Sequence, residues 1–340
     1  MKYPEFLKKG DKIVLTALSA GVSKKDIEKR SKYLKAVENL EKEGFEIEMQ
    51  SHCLKQRAYR SASAKVRGNK FNEAYFEETS KMVFNVCGGS YEFETLPYIN
   101  YKKIKESNPK WVQGHSDSTH ITFLLTTLCD VASVYSNGLS EFGYYTLSES
   151  SKKNLDILTG KNLIQYSYNK YGEIKNKEDA LSLPCFENDV EWKSLKGEKE
   201  LEISGRLIGG CQDVINCIVG TKYDKVRKFL HKYRDDGIVW YLETFSSDPE
   251  KFALNLNQLK DAGYFKYCKG IVFGRPFFYN TDWMNVSYEK TIKKVLGKLN
   301  VPILYDADIG HVKPMITLVN GSITTFKYKE GKCEIITELK

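Results

Sequence analysis

The chain runs to 340 residues, of which 41% are hydrophobic and 28% charged, with a formal net charge of +8. That length is too great for one ordinary core and points to two domains of roughly 150 residues each, while the composition excludes a disordered chain. Lys and Arg are interleaved with Glu and Asp, as in "KYLKAVENLEKEGFEIE", without a nucleic-acid-binding motif, so the charge reads as a solvated surface or a mild field favouring small anionic substrates, and no nucleic-acid partner is expected.

In chain order, "DKIVLTALSAG" is a short apolar run closing on small residues, a parallel-type strand entering a loop. A helix follows through "KKDIEKRSKYLKAVENLEKEG", stopped by Gly44. "FEIEMQ" alternates as a strand, "AKVRGNKFNEAYFEETS" is helical, and the strand "KMVFNV" runs into Cys87-Gly88-Gly89-Ser90. Helix-like "YINYKKIKESN" leads to the strand "KWVQ" and the turn Gly114-His115-Ser116-Asp117-Ser118. Strands alternating with helices predict a parallel βαβ sheet. From about Gly160 the periodicity fails, and residues 161–200 read as a linker plus a long irregular loop. The second half offers the strand "LEISGRLIGGC", a helix near "QDVINCIVG", the strand "GIVWYLETF" and the helix "DPEKFALNLNQLKDAGYF". "KGIVFGRP", a helix near "YEKTIKKVLGKL", "VPILYDADIGH" and two terminal strands, "ITLVNGSITTFKYK" and "CEIITELK", complete it. The expected division is 1–160, 161–200 and 201–340, in an α/β fold.

Eight cysteines are scattered without a CxxC pair, which argues against a zinc ribbon and a disulfide-stapled domain. Five histidines form no HxxH or HExxH pair, so no metal is expected. No apolar run reaches the roughly 18 residues of a membrane helix, so no membrane partner is expected. "MKYPEFLKKGDKIVL" carries charges where a signal peptide needs its apolar stretch, and a cytoplasmic location is the expectation.

The turn at Ser116 carries the chemistry. A strand reversing into a helix around Gly-x-Ser exposes the serine hydroxyl at the carboxyl edge of a sheet, with the next amide facing a developing oxyanion. Equally, Ser116 or Asp117 caps the helix "THITFLLTTL". A serine nucleophile needs a base and a group to orient it. Glu243 ends "GIVWYLE" and His311 follows Gly310 after another strand, so the three are candidates to converge at the strands' carboxyl ends. Alternatively, Glu243 is a surface acid and His311 a polar loop residue. His115 ranks below His311 as base, because neighbours in a tight turn point apart. Gly88 and Gly89 end an adjacent strand and either complete an oxyanion hole with the Asp117 amide or form a plain turn.

Taken in order, "KKGDKIVLTALSAG", the "CGGS…LPYINYKKIKESNPKWVQGHSDST" block, "SGRLIGG", "YLETF", "KGIVFGRP" and "DIGHVKPMITLVNG" resemble the LD-carboxypeptidases and their relatives, the microcin-C immunity peptidases, over the whole chain. The resemblance implies a Ser116-Glu243-His311 triad and an oxyanion hole of the Asp117 amide with the glycine pair, Gly89 preferred over Gly88. It implies a Rossmann-like N-terminal domain, a smaller strand-rich C-terminal domain, a homodimer, and neither metal nor cofactor. The implied activity is serine carboxypeptidase hydrolysis of a small peptide, either murein-derived or a peptidyl-nucleotide. "GGCQDVI" stands where the family has "GGN" with a substrate-holding asparagine, which makes Cys211 and Gln212 candidate substrate contacts. In the 161–200 extension, "CFENDVEW" offers Phe186 and Trp192 to stack on a base, or to pack the loop onto the body. Competing readings are an α/β-hydrolase-like esterase, against which the missing final glycine of the elbow speaks, and a non-catalytic ligand-binding protein.

Overall fold

A computed structural model describes residues 1–172, 179–279, 281 and 286–340. Strands β1 (Lys12–Thr16), β2 (Glu46–Met49), β3 (Ser80–Asn85), β4 (Trp111–Gly114) and β5 (Ser133–Tyr135) build a parallel sheet. Helices α1 (Ile27–Lys42), α2 (Ala64–Phe76), α3 (Tyr101–Glu106) and α4 (Thr119–Cys129) connect them, and α5 (Glu149–Thr159) follows. The βαβ reading of the first half therefore holds. Helix starts are chemically marked: Asp26, Ser63, Asn100 and Ser148 each accept a backbone N–H from the first turn of the helix that follows.

Among the described residues four short strands come next: β6 (Ile164–Tyr166), β7 (Lys170–Tyr171), β8 (Asn188–Asp189) and β9 (Lys193–Ser194). The second sheet is centred on the long β10 (Glu200–Cys211). After α6 (Gln212–Ile218) and α7 (Val226–Lys232) come β11 (Ile238–Glu243), α8 (Pro249–Asp261), β12 (Cys268–Gly274), α9 (Tyr288–Leu296) and β13 (Ile303–Ala307). Strands β10 to β13 are parallel to one another. The chain ends in β14 (Leu318–Asn320), β15 (Ile323–Lys329) and β16 (Lys332–Glu338). Strand order is β14-β5-β4-β3-β1-β2 in the first sheet and β6-β16-β15-β10-β11-β12-β13-β9 in the second. Among the described residues no helix is long and apolar enough to cross a membrane.

Two sequence expectations are corrected. "ITLVNGSITTFKYK" is not one strand: β14 pairs antiparallel with β5 of the first sheet and β15 pairs with β10 of the second. Gly321, at φ +89°, turns the chain between them. Residues 161–200 are not an irregular loop throughout either, because β6 and β9 form opposite edges of the second sheet. Strands of two or three residues carry too little alternation to be read from sequence.

Helix α4 is buried along its length except at Leu128. Its Phe123 and Leu124 share one core with Ile208 of β10 and Trp240 of β11, while its threonines are buried with them, so the helix is packed between the two sheets. Trp192 is fully buried in the second-sheet core, where its indole faces Phe326 at 6.4 Å and its N–H donates to Asp308 Oδ2 at 3.1 Å. No face is left for a ligand, so the stacking role considered for Trp192 is corrected to a packing one. Trp192→Ala should cost about 3–5 kcal/mol of unfolding free energy; urea denaturation of the variant checks this, and a loss under 1 kcal/mol would contradict the packing role.

Candidate active site

Strand β4 stops at Gly114, where an added Cβ would come within 2.3 Å of the Ser118 Cβ, so only glycine fits the reversal. Ser116 then takes φ +61°, a left-handed conformation costing a non-glycine residue on the order of 1–3 kcal/mol. Its amide donates to Tyr135 Oη at 3.1 Å, which helps hold the strained turn. The hydroxyl faces the second sheet: Ser116 Oγ lies 2.9 Å from His311 Nε2, and His311 Nδ1 lies 2.8 Å from Glu243 Oε2. Glu243 ends β11 fully buried, and its Oε1 accepts from the Tyr135 hydroxyl at 2.5 Å. Gly310, at φ +107°, passes so close that a Cβ would sit 2.5 Å from Glu243 Oε2. The bare backbone there lets His311 fold back onto the carboxylate.

Neither Ser116 nor Asp117 caps α4. Glu92, from the segment after Gly89, accepts the Ile121 N–H at 3.2 Å instead. The Asp117 carboxylate receives Ser19 Oγ at 2.5 Å and the Glu92 amide at 2.9 Å, and its other oxygen lies 3.0 Å from His120 Nδ1. Burial works to raise the Asp117 pKa, but these hydrogen bonds outweigh it and hold the group below the usual range. Gly88 lies against the turn: a Cβ on it would come 2.7 Å from Ser116 Cβ and 3.2 Å from the Asp117 amide nitrogen. Gly89, at φ +155°, runs beside Ser19.

His115 places Nε2 3.3 Å from the Gly310 carbonyl. Burial, then the charges of Lys313 and His311, push its pKa well below the ordinary value, so it is a neutral ring donating to that carbonyl. Its ring lies 4.5 Å from that of His311. His115, Glu243 and His311 bring metal-type ligand atoms within 4.8 Å of one another. Both ring nitrogens of His311 and Nε2 of His115 are already engaged in hydrogen bonds, an arrangement suited to proton transfer.

Comparison with known proteins assigns the chain. The LD-carboxypeptidase N-terminal domain matches residues 13–136, and the LD-carboxypeptidase C-terminal domain matches residues 204–326. The chain belongs to the LD-carboxypeptidase family. It is a serine peptidase, and the reading as a non-catalytic binder falls away. The microcin C7 self-immunity protein MccF of Escherichia coli is 23% identical over 302 residues, covering 86% of this chain and 84% of the relative. Among solved structures, an MccF-like protein from Bacillus anthracis is similar at a TM-score of 0.84 with 24% identity, covering 100% of both chains. MccF in complex with aspartyl sulfamoyl adenosine is similar at 0.81 with 22% identity, covering 99% of this chain and 98% of that one. These structural likenesses support the α/β fold.

The remaining candidates in this LD-carboxypeptidase-family chain are distributed unevenly. Cys211 pairs with Glu243 in the β10–β11 register and is buried, which pushes its thiol pKa well up. Gln212 opens α6 fully buried, with neither side-chain polar atom hydrogen-bonded among the described residues. Both sit beside Glu243's strand end without an exposed surface. Phe186 is half-buried and lines a separate cleft with Glu141, Tyr168, Asn169 and Pro314. No motif in the sequence marks Tyr135, Ser19, Glu92 or Phe245. Phe245 lies 4.4 Å ring to ring from His311 and 4.9 Å from Phe277, and the two phenylalanines stay 43% and 37% exposed. Asp213 holds this loop by accepting the Phe245 and Ser246 amides at 2.9 and 3.2 Å. An acid two residues into a helix gave no signal of that role.

Burial, with the Asp117 charge adding, pushes the pKa of the fully buried Glu92 well above its ordinary 4.5. A folded-state value above the unfolded one gives stability that is fully present below about pH 4.5 and is lost as pH rises through the folded value. Glu92→Gln, which does not ionise, should therefore gain stability relative to the parent as pH rises above 4.5. Urea unfolding at a series of pH values checks it, and parallel profiles would refute the buried acid.

Proposed function

We propose that this serine peptidase acts as a carboxypeptidase through Ser116, His311 and Glu243, by way of an acyl-enzyme. The observation that carries this reading is the unbroken hydrogen-bonded series from Ser116 Oγ through His311 to Glu243, at 2.9 and 2.8 Å. His311 Nε2 takes the hydroxyl proton as Oγ attacks the amide carbonyl, and Glu243 fixes the tautomer and stabilises the imidazolium. The amides of Asp117 and Gly89 stabilise the tetrahedral oxyanion, where losing one donor costs about 10²–10³ in kcat. His311 then protonates the leaving amine, and water releases the acyl group by the same steps in reverse roles. Ser116→Ala should abolish hydrolysis while leaving the circular dichroism spectrum unchanged; full activity in that variant would overturn the nucleophile assignment.

For the substrate, we propose a small peptide cut at a C-terminal amide-type bond, with a flat aromatic group in its leaving half. Two half-exposed phenylalanines beside the imidazole support this, because exposed rings on anchored backbone next to reacting atoms suit stacking. MccF, solved with aspartyl sulfamoyl adenosine, is similar in fold. A peptidyl-nucleotide meets that description, whereas a murein tetrapeptide leaves the rings unused. Mass spectrometry of each compound after incubation should show faster cleavage of the peptidyl-adenylate. Phe245→Ala should raise KM for it by about tenfold; a murein tetrapeptide cleaved faster, with no effect of Phe245→Ala, would reverse the choice.

A further inference from the structure

Tyr135 lies outside the three residues just assigned, yet its hydroxyl touches two of the chain segments that carry them. It is the last residue of β5, paired with Gly114 of β4 on one side and Leu318 of β14 on the other, and it is fully buried. Glu243 ends β11 in the other sheet. A buried tyrosine hydroxyl must find partners. This one has two: it accepts from the Ser116 amide at 3.1 Å and gives its single proton to Glu243 Oε1 at 2.5 Å. The direction follows because an amide N–H only donates, which leaves the single hydroxyl proton for the carboxyl oxygen 2.5 Å away.

We propose that Tyr135 is a positioning residue that closes a ring of hydrogen bonds, Ser116 Oγ to His311 to Glu243 to Tyr135 and back to the Ser116 amide. The inference rests on the nucleophile assignment above. Three consequences follow from the ring. Occupying Oε1 stops the carboxylate from rotating and leaves Oε2 for His311 Nδ1. Engaging the Ser116 amide removes it from the set of oxyanion donors and leaves the next amide, that of Asp117, for that task. The hydrogen bond to Glu243 also spans the two sheets, so with Ser116–His311 the site is fastened across the junction twice. The tyrosine ring is held by aromatic neighbours, His115 at 5.5 Å and Tyr241 at 5.8 Å, which fixes where the hydroxyl sits.

Tyr135→Phe keeps that ring and removes only the hydroxyl. The readout is the rate at which a fluorophosphonate labels Ser116, measured against pH, which needs no knowledge of the natural substrate. The expected result is labelling slower by about tenfold to a hundredfold, with the acid limb of the profile displaced to higher pH. A carboxylate that has lost a donor presents more charge to the imidazole and favours its protonated form. Replacing Tyr135 by 3-fluorotyrosine, a stronger donor of almost the same shape, should displace the limb to lower pH and serves if the phenylalanine variant does not fold. An acid limb that stays in place in the folded variants overturns the positioning role, whatever happens to the rate. If the parent protein itself is not labelled at Ser116, the nucleophile assignment fails and this inference with it; labelling of the parent with unmoved variants defeats this inference alone.

Discussion

The hydrogen bond from Ser116 to His311 joins atoms 195 residues apart in the chain and carried by different sheets. Its length tolerates errors of only a few tenths of an ångström, so the two sheets must keep a fixed separation and angle. Several features of the fold act on that one requirement. Helix α4 starts at the serine turn and fills the space between the sheets with apolar side chains. Strand β14 leaves the second half of the chain to become the outer strand of the first sheet. Glycines at 114, 210 and 310 allow backbone to approach where any side chain would collide with Ser118, Thr119 or Glu243.

The site combines strain with compensation. Ser116 sits in a conformation that opposes folding, and two acidic side chains, Asp117 and Glu92, are buried side by side beneath it. Each cost is met locally: a tyrosine hydroxyl takes the strained amide, and Ser19, His120 and the Glu92 amide satisfy Asp117. Asn85 donates to Glu92 at 2.7 Å and to Ser118 at 2.7 Å, linking the acid back to the start of α4. A network that pairs both buried acids several times over in a low-dielectric interior is rigid. It holds the Asp117 backbone, and so its amide, in one place, which is what stabilisation of a developing oxyanion requires.

How much of this was legible in the sequence depends on range. Strands β1, β3, β4 and β11 were readable because each is an apolar run ending at glycine or a polar residue, and the parallel sheet followed from their alternation with helices. Ser116, Glu243 and His311 were readable as candidates because each stands where such a run stops. Tyr135 was not: β5 has three residues, its tyrosine looks like ordinary core, and only the pairing of β5 beside β4 brings its hydroxyl to the turn. Trp192 stayed open between stacking and packing because an aromatic in a polar stretch looks available for either, whereas β9 beside it joins a sheet edge and carries the indole inwards. The split of "ITLVNGSITTFKYK" between two sheets was equally hidden, since both pieces have strand composition and only Gly321 marks the corner.

That corner limits how the molecule can be taken apart. The amino-terminal sheet looks self-sufficient up to Thr159, yet one of its six strands is supplied by Leu318–Asn320, almost at the other end of the polymer. A fragment ending near residue 160 would present the bare flank of β5 to solvent, a template for pairing with foreign backbone. Exchanging halves between homologues would likewise graft a borrowed strand onto a border shaped for another. For this architecture, recombination and fragment expression have to respect a seam that runs through the last two dozen residues, well away from the apparent midpoint.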